Sequence, residues 1–444
     1  MAVAQKALNF SSITAINEFV TKKVGAHHRL EMNWVRPSIR KEPVKKRHEG
    51  VLIGPTDRYS VGELLMPHVL TRALGLSRLR CAGMVGSDFS SVGGHSVRNY
   101  GESALEMGGR DLQLIHFGGD TLAEDIVDSY AAVTSGEEED RFESLCAIGD
   151  QDAVRGYVRR RSGQLDDFAY VLAPEGEFFG SRSSFHSVGL SVPGQLSEKS
   201  ADRLTELLQS ADFVGIRDRI GAEFLEGRGI NVTRMPCGLS VLPQVCARQL
   251  SEHRDSPAME EIRHRFPNGW IAVEVGGVEE RHFEKLSRAL RHVSEADGLG
   301  IVFFEAAKRD HSVESPTMRR WVDAHAESEA AAFTSSNIWD VASLLMHSRL
   351  YCGSCLNCRV IAMAGGVPRV NLPTTGPAIT SYCDLWELES VPAELEEEDD
   401  WDASLLAALN TDFPMLEEHS RKISERYYEA LQQFSEATEI PLAR

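Results

Sequence analysis

The chain has 444 residues, 42% of them hydrophobic, which is enough length and apolar content for two sizeable cores. Its 47 Lys and Arg are outnumbered by 66 Asp and Glu, and the net charge of -19 argues against nucleic acid or anionic lipid as a general partner. No apolar run reaches the roughly 18 residues of a membrane span, the N-terminus lacks a secretory signal pattern, and the eight cysteines are too scattered for a disulfide framework. We therefore expect a soluble, cytoplasmic chain without a membrane span.

Residues 1–48 are predicted to form an N-terminal extension that ends in a basic linker. The basic stretch at residues 36–47 reads RPSIRKEPVKKR and lies next to prolines. It is either a solvated linker or an anion-binding patch.

Residues 49–248 are predicted to form an N-terminal Rossmann-like domain. Short runs rich in β-branched residues alternate here with amphipathic stretches, which is typical of a parallel sheet with crossover helices. Helices are predicted at residues 122–133 and 201–209, the second preceded by Ser197. The predicted strands are VLIG (51–54), LRCAGMVG (79–86), LQLIHF (112–117), FAYVL (168–172), FVGI (213–216) and NVTRM (231–235).

Residues 249–395 are predicted to form a second, C-terminal Rossmann-like domain. A charged, proline-containing stretch at residues 248–269 is the candidate crossing between the domains. Residues 396–444 are predicted to be an acidic surface loop followed by one or two amphipathic helices within residues 405–435. The predicted strands are WIAVEV (270–275), LGIVFF (299–304), AAAF (330–333), RLYCG (349–353) and PRVNL (368–372), and the predicted helices lie at residues 280–296, 317–329 and 338–347.

Two doubly wound domains bind ligands in the cleft at the carboxyl ends of their strands. Polar residues at those ends are therefore the candidates for function. At the first strand-to-helix junction they are Asp57, Arg58, Glu63 and His68, which we assign to the acceptor side of the cleft.

Two later segments of the N-terminal domain add candidates. Gly118, Gly119 and Asp120 directly follow a predicted strand, where a backbone can approach a ligand closely. His186 is predicted to lie in a polar loop, either as a general acid or base or as an ordinary surface residue.

The trio Arg217, Asp218 and Arg219 lies between a predicted strand and helix. A guanidinium at this position can bind a carboxylate or phosphate through two parallel hydrogen bonds. The alternative is that Asp218 only caps the helix, with its neighbouring arginine paired on the surface.

A similar junction in the C-terminal domain contains Gly353, Ser354 and Arg359. Gly353 permits close backbone approach, Ser354 can cap the helix, and Arg359 lies one turn from Cys355 on the same face. These residues predict an anion site, and the alternative is an ordinary strand-helix-strand crossover.

Three cysteines at this junction, Cys352, Cys355 and Cys358, have the spacing of a metal or iron-sulfur motif, with Cys383 as a possible fourth ligand. The fourth cysteine of the usual run is absent, and the array straddles a strand end and a helix. We therefore expect buried thiols and no metal.

In this order, the segments resemble the polysaccharide pyruvyl transferase family over roughly residues 51–373. The resemblance is carried by GPTDRYSVGELLMPHVLTRALG, IHFGGD, FVGIRDRIGAEFLEGRGINV and, above all, IWDVASLLMHSRLYCGSCLNCRVIAMAGGVPRVNL. It implies two Rossmann-like domains in a glycosyltransferase-B arrangement and transfer of pyruvate from phosphoenolpyruvate to a sugar as a ketal.

The resemblance also implies roles for the candidate residues, in the biosynthesis of surface polysaccharide or exopolysaccharide. Arg217 is expected to hold the donor, with Gly353, Ser354, Asn357 and Arg359 contributing from the second domain. The candidates for acid and base are Glu63, Asp120 and His186. The expected acceptor is a sugar or lipid-linked oligosaccharide, and no cofactor is expected besides the donor substrate.

The chain departs from the family at Asn357, where the family motif carries histidine. Asparagine can form hydrogen bonds but cannot transfer a proton. Another group then serves in its place, or the reaction has changed. The alternatives are a nucleotide-sugar-dependent glycosyltransferase of the same fold and a catalytically altered or non-catalytic relative.

Overall fold

The computed structural model describes residues 49–76, 78–107, 112–309, 315–326, 329–374 and 376–443. The extension and basic linker predicted for residues 1–48 lie outside these ranges. All described residues belong to one compact unit, Arg47–Arg444.

The described residues contain fifteen strands and seventeen helices, named here in chain order. The strands are β1 (Glu49–Ile53), β2 (Tyr59–Ser60), β3 (Arg78–Gly83), β4 (Ser87–Asp88), β5 (Ser96–Asn99), β6 (Gln113–Phe117), β7 (Arg182–Val188), β8 (Phe213–Ile216), β9 (Thr233–Arg234), β10 (Trp270–Glu274), β11 (Gly300–Phe304), β12 (Ala307–Lys308), β13 (Ala330–Ala332), β14 (Leu350–Gly353) and β15 (Arg369–Asn371). The helices are α1 (Val61–Ala73), α2 (Tyr100–Met107), α3 (Ile126–Val133), α4 (Glu137–Cys146), α5 (Gln151–Ser162), α6 (Glu198–Gln209), α7 (Arg219–Gly227), α8 (Leu242–Val245), α9 (Ala247–Arg254), α10 (Pro257–Arg265), α11 (Phe283–Asp297), α12 (Pro316–Ala324), α13 (Ile338–Met346), α14 (Leu356–Ala364), α15 (Ala378–Trp386), α16 (Trp401–Leu409) and α17 (Phe413–Thr438).

Two large sheets share one topology. The first has the order β4-β5-β3-β1-β6-β7-β8-β9 and is parallel except at the β4–β5 edge, and the second has the order β13-β11-β10-β14-β15 and is parallel throughout. In each sheet the earliest strand lies inside, and the strand order reverses around it. This reversal is the Rossmann pattern, so the predicted α/β fold class with two Rossmann-like sheets is confirmed.

The second sheet contains all five strands that the sequence predicts for it. These strands are buried on both faces, because helices cover each side of a parallel sheet. Their nearly continuous apolar runs are therefore a strong local signal.

The prediction of the first sheet is wrong at one strand. Residues 168–172 are buried but do not form a strand, and the Gln164 side chain donates to the carbonyl oxygens of Phe168 and Val171 instead. The strand between β6 and β8 is β7, whose buried polar residues include Ser184 and His186. Polar side chains inside a sheet conceal a strand from a reading based on hydrophobicity.

Two other predicted segments also differ. The crossing at residues 248–269 is largely helical, because α10 lies within it and most of α9 does too. The acidic segment is only partly a surface loop, since Leu395 and Trp401 are buried beneath it. The domain boundaries at residues 248 and 395 stay predictions.

Short contacts join the two sheets. β2 pairs with β12 in an antiparallel ribbon, and the backbone N–H of Val61 donates to the carbonyl oxygen of Ala306 at 2.8 Å. The indole N–H of Trp386 donates to the Arg217 carbonyl oxygen at 2.6 Å. The last helix, α17, returns to pack against β8 of the first sheet. These contacts fix the strand ends of the two sheets relative to one another.

A buried ion-pair network stabilises the second half of the chain. Glu387, whose side chain is 3% exposed, accepts hydrogen bonds from both Arg359 and Arg369. Burial by itself raises the pKa of Glu387, but the two arginines outweigh burial and hold the pKa well below its usual value. The burial of these two guanidinium groups therefore depends on the ionised carboxylate of Glu387.

Glu387→Gln should lower the free energy of unfolding by about 3–5 kcal/mol at pH 7, because it leaves two buried guanidinium groups without their anion. The depressed pKa places this stabilisation above the ordinary glutamate pKa and removes it as the pH falls through the folded-state pKa, so the difference between variant and wild type should shrink in acid. Urea unfolding at several pH values measures it. The exposed Glu389→Gln is the matched control, and equal losses in both variants would contradict the network's role.

Candidate functional site

Hydrogen bonds from Asn357 to Glu63 and from Val61 to Ala306 bring the switch points of the two sheets together, and the region between them is the expected ligand cleft. In the first sheet the order reverses around β1, between β3 and β6, and in the second around β10, between β11 and β14. Open α/β sheets bind ligands at the carboxyl ends of the strands at such a point. The residues just after β6, β8 and β14, with the first turn of α1, therefore form the candidate site.

Glu63 lies in the first turn of α1 and is 7% exposed. Burial raises the pKa of its carboxyl, although Arg217 and Arg58 oppose this shift. Its Oε1 accepts a 3.2 Å hydrogen bond from Asn357 Nδ2, whereas Oε2 is buried without a hydrogen-bond partner. Glu63 is thus a buried carboxyl with a raised pKa and one oxygen without a hydrogen-bond partner.

Arg217 follows β8 and is 6% exposed. Its backbone is held at both ends, since its N–H donates to Val188 and its carbonyl accepts from Trp386. Among the described residues its guanidinium forms no ion pair, although the carboxylates of Glu63 and Asp120 are near enough to interact with it electrostatically. A buried guanidinium that lacks a paired anion is a ready binding group for an anionic ligand.

Gly119 lies between these two groups. A methyl group added at Gly119 would be 3.4 Å from Arg217 Nη2 and 3.4 Å from Glu63 Oε1. The preceding Gly118 has φ of +118°, a conformation that a side chain would strain. The glycine pair therefore keeps the space between acid and guanidinium free of side chains.

Asp120, the third residue of that turn, is already engaged. Its carboxylate accepts hydrogen bonds from the Ser191 backbone N–H at 2.7 Å and from the Ser191 hydroxyl at 2.8 Å. It lies beside Arg217, because a methyl group added at Gly189 would contact Asp120 Oδ1 at 2.9 Å and Arg217 Nε at 3.1 Å. The geometry suits orientation of Arg217 better than proton transfer.

The acceptor-side candidates Asp57 and Arg58 are adjacent in the chain but bind different partners. Asp57 is 3% exposed and is bound by the Met84 N–H and the Tyr170 hydroxyl, so it holds the β1 and β3 loops together. Arg58 donates to both oxygens of Glu124 at 3.0 Å and also acts electrostatically on Glu63. Of these two residues, Arg58 is the one that acts electrostatically on Glu63.

His68 lies on α1 in an aromatic cluster. Its Nε2 is 2.8 Å from the Gly93 carbonyl oxygen, and its ring lies 4.0 Å from the His95 ring and 4.8 Å from the Trp339 indole. Burial, with a contribution from His95, lowers its pKa to about 3. The structure gives His68 a packing role, and the acceptor-side assignment stays a prediction.

The prediction that His186 lies in a polar loop is wrong. His186 is a fully buried residue of β7, with Nε2 3.1 Å from the Tyr427 hydroxyl and Phe434 packed against its ring. Burial lowers its pKa to about 4. A neutral imidazole enclosed by α17 is out of reach of a substrate, so we withdraw it as an acid or base.

The assignment of Arg359 to donor binding is also corrected. All five N–H groups of its guanidinium donate within the fold, to Glu387, Asn371 and the carbonyl oxygens of Pro392 and Ala393. Because guanidinium has five donors and no acceptor, none is left for a ligand.

Ser354 and Gly353 reach the cleft from the second sheet. The Ser354 hydroxyl donates to Glu274 Oε2 at 2.8 Å, and burial raises the pKa of Glu274 although this hydrogen bond opposes the shift. Gly353 packs so closely that an added methyl group would lie 2.5 Å from the Glu274 side chain. Ser354 does not cap α14, because Cys355 occupies the N-cap position.

The three cysteines of this junction are free thiols, and Cys352 and Cys358 are buried. Among the described residues no group of three or more His, Cys, Asp or Glu is arranged to hold a metal ion. No helix within the described part of the chain is long and apolar enough to cross a membrane.

Three residues of the site were missed in the sequence. Glu274 is the last residue of β10, Ser191 orients Asp120, and the buried Cys237 lies near Arg217. The signal for Glu274 was available, because a carboxylate at the end of an apolar strand is unusual. Ser191 and Cys237 carry no local signal.

A protein-family model described as polysaccharide pyruvyl transferase matches residues 52–374. A search of curated proteins found no match. Among solved structures, a protein described as a UDP-N-acetylglucosamine 2-epimerase from Listeria monocytogenes is 12% identical, with a TM-score of 0.51 over 89% of this chain and 96% of that one. A UDP-forming α,α-trehalose-phosphate synthase from Burkholderia vietnamiensis is 11% identical, with a TM-score of 0.49 over 89% of this chain and 99% of that one.

At such low identity the structural likeness shows the fold alone. It confirms the glycosyltransferase-B arrangement of the two Rossmann-like sheets.

Glu63→Gln should raise the melting temperature, and the gain should grow as the pH rises above the ordinary glutamate pKa of 4.5. A raised folded-state pKa means that the carboxyl favours the folded state only at low pH and opposes it once ionised. Glutamine stays neutral and keeps an oxygen for Asn357. Thermal unfolding of wild type, Glu63→Gln and the exposed control Glu261→Gln from pH 4 to pH 9 measures the effect, and parallel curves would show that Glu63 ionises freely.

Gly119→Ala and Gly118→Ala should behave differently. The Gly119 methyl group meets only ordinary contacts, so the fold should be kept while the space between Arg217 and Glu63 is filled. Alanine at Gly118 is strained and should lose about 1–3 kcal/mol of stability. Urea unfolding measures the loss of stability, and the shift in melting temperature on adding phosphoenolpyruvate measures anion binding. Undiminished anion binding by Gly119→Ala would place the anion site elsewhere.

Proposed function

We propose that this chain, which belongs to the polysaccharide pyruvyl transferase family, transfers pyruvate from phosphoenolpyruvate to two hydroxyls of a sugar as a ketal. The observation that carries the proposal is that Arg217 and Glu63 lie on either side of the space at Gly119. One group is a buried cation with no ion-pair partner among the described residues, and the other is a buried acid with a raised pKa.

Arg217 is suited to the donor's anionic groups. Phosphoenolpyruvate carries a phosphate and a carboxylate, and guanidinium binds either one through two parallel hydrogen bonds. The Arg217 backbone is fixed by hydrogen bonds and its side chain is buried, so we expect little conformational entropy to be lost when the donor binds.

Glu63 is suited to supply the proton that the reaction needs. The methylene carbon of phosphoenolpyruvate gains a proton and becomes a methyl group, while one sugar hydroxyl bonds to the central carbon. Phosphate then leaves, and the second hydroxyl bonds to the same carbon. Of the two hydroxyl protons, one replaces the proton given to the methylene carbon and the other leaves with phosphate. A neutral carboxyl can donate the first proton and, as carboxylate, accept one from a hydroxyl.

This assignment accounts for Asn357. The amide cannot transfer a proton, but it donates to Glu63 Oε1, the oxygen that lies nearest the space at Gly119, and so holds the carboxyl in place. Asn357 is then a positioning residue, and the acid is supplied by the first domain. The chain keeps a proton donor although the motif histidine is absent.

We also propose the acceptor, the compartment and the absence of a cofactor. The acceptor is a sugar or lipid-linked oligosaccharide in exopolysaccharide or other surface polysaccharide biosynthesis, the reaction takes place in the cytoplasm, and no cofactor takes part because the donor carries its own leaving group.

Arg217→Lys should raise the KM for phosphoenolpyruvate at least about tenfold, since lysine keeps the charge but loses the two parallel hydrogen bonds. The KM is measured by incubating each variant with phosphoenolpyruvate and a panel of aryl and lipid-linked sugars and following the release of phosphate. Arg219→Lys is the matched control, because Arg219 is an exposed neighbour paired with Asp384 and Glu223.

Failure of the wild type across a broad panel would count against pyruvyl transfer. A thermal shift with nucleoside diphosphates, absent with phosphoenolpyruvate, would favour a nucleotide-sugar glycosyltransferase instead. Equal kinetics for the two arginine variants would remove Arg217 from the donor site.

A further inference from the structure

A second buried carboxylate lies at the switch point of the other sheet. Glu305 follows β11 directly and is 9% exposed. Its Oε2 is buried without a hydrogen-bond partner, and its carboxylate makes no hydrogen bond to any described residue. A carboxylate kept this way without a donor is costly unless a ligand supplies one.

Two neighbouring strand ends surround Glu305 with further polar groups. Phe304 on β11 is paired in register with Glu274 on β10. Glu305 therefore lies one residue beyond the level of Glu274, at the same end of the sheet. Glu274 in turn accepts from the hydroxyl and backbone N–H of Ser354, which follows β14. Three adjacent strands therefore end in a carboxylate, a carboxylate and a hydroxyl.

A glycine pair keeps this place open to solvent. Gly276 and Gly277 are exposed and follow the end of β10 after one residue, Val275. A methyl group at Gly276 would lie 2.8 Å from Glu274 Oε1 and 3.9 Å from Glu305 Cγ, and one at Gly277 would clash with the Ser354 hydroxyl. The backbone here approaches the polar groups as closely as glycine allows.

Glu305 is also close to the reaction site. The next residue, Ala306, accepts a hydrogen bond from Val61 N–H at 2.8 Å, at the start of the helix that carries Glu63. Lys308, half-buried and near enough to Glu305 to interact electrostatically, is the nearby cation. A ligand at Glu305 would thus lie beside the start of the helix that carries Glu63.

We propose that Glu305, with Glu274 and Ser354 beside it, binds a pair of adjacent hydroxyls on a polyhydroxylated ligand in the cleft. Carboxylates accept hydrogen bonds from two hydroxyls at once, and in Rossmann-like sheets an acidic residue near the switch point binds a diol. The diol belongs either to the acceptor sugar, in which case the inference rests on the proposed function, or to the ribose of a nucleoside diphosphate.

Calorimetric titration of the full chain without phosphoenolpyruvate tests the site. The probes are methyl glycopyranosides with adjacent hydroxyls and their monodeoxy analogues, and UDP with 3′-deoxy-UDP. Glu305→Gln should weaken binding of the diol ligand at least about tenfold, as expected for loss of a charged hydrogen-bond acceptor, and should affect the deoxy analogue less than about twofold. The exposed Glu295→Gln is the matched control, and thermal unfolding confirms that each variant is folded.

Selective binding of a glycoside identifies the acceptor sugar as the source, and selective binding of UDP identifies ribose. Unchanged diol binding by Glu305→Gln, or no binding of either diol class to the wild type, would overturn the inference. Arg217→Lys should retain diol binding while losing the donor. Intact diol binding without any phosphate release would therefore refute the proposed reaction and leave this site standing.

Discussion

The hydrogen bond from Asn357 to Glu63 joins the two sheets near the point where each reverses its strand order. Around it, the β2–β12 ribbon and the Trp386 contact hold the two halves together, so that groups from both sheets line one cleft. The same hydrogen bond leaves one oxygen of a buried carboxyl unsatisfied. Its geometry therefore links the assembly of the fold to the chemistry available in it.

The chain treats buried charges in two ways. Arg359 and Arg369 share Glu387, and every donor of Arg359 is used. Arg217 is also buried but forms no ion pair among the described residues, and its neighbour Glu63 has a raised pKa. Satisfied charges stabilise a fold, whereas unsatisfied ones cost stability and persist where a ligand completes them. This difference separates Arg217 from Arg359, although the sequence presented both as candidates for donor binding.

The distinction also explains which parts of the site were predictable. Arg217 and Glu63 were recognised because each follows an apolar strand or starts a helix at a family-like motif. His186 was misjudged because a histidine among serines resembles a loop, although β7 buries all of them between two strands. Glu305 was overlooked because its significance depends on Glu274 and Ser354, which come from other strands.

The sequence by itself determined the alternating α/β pattern, the two Rossmann-like sheets apart from β7, and the family. These depend on local apolar runs and on motifs, which a single segment carries within a few residues. Only the tertiary structure decided which polar groups remain unpaired. The partner of Arg359 is 28 residues away, and Asn357 lies 294 residues from Glu63. Whether a buried charge is satisfied depends on such distant contacts, and no local pattern records them.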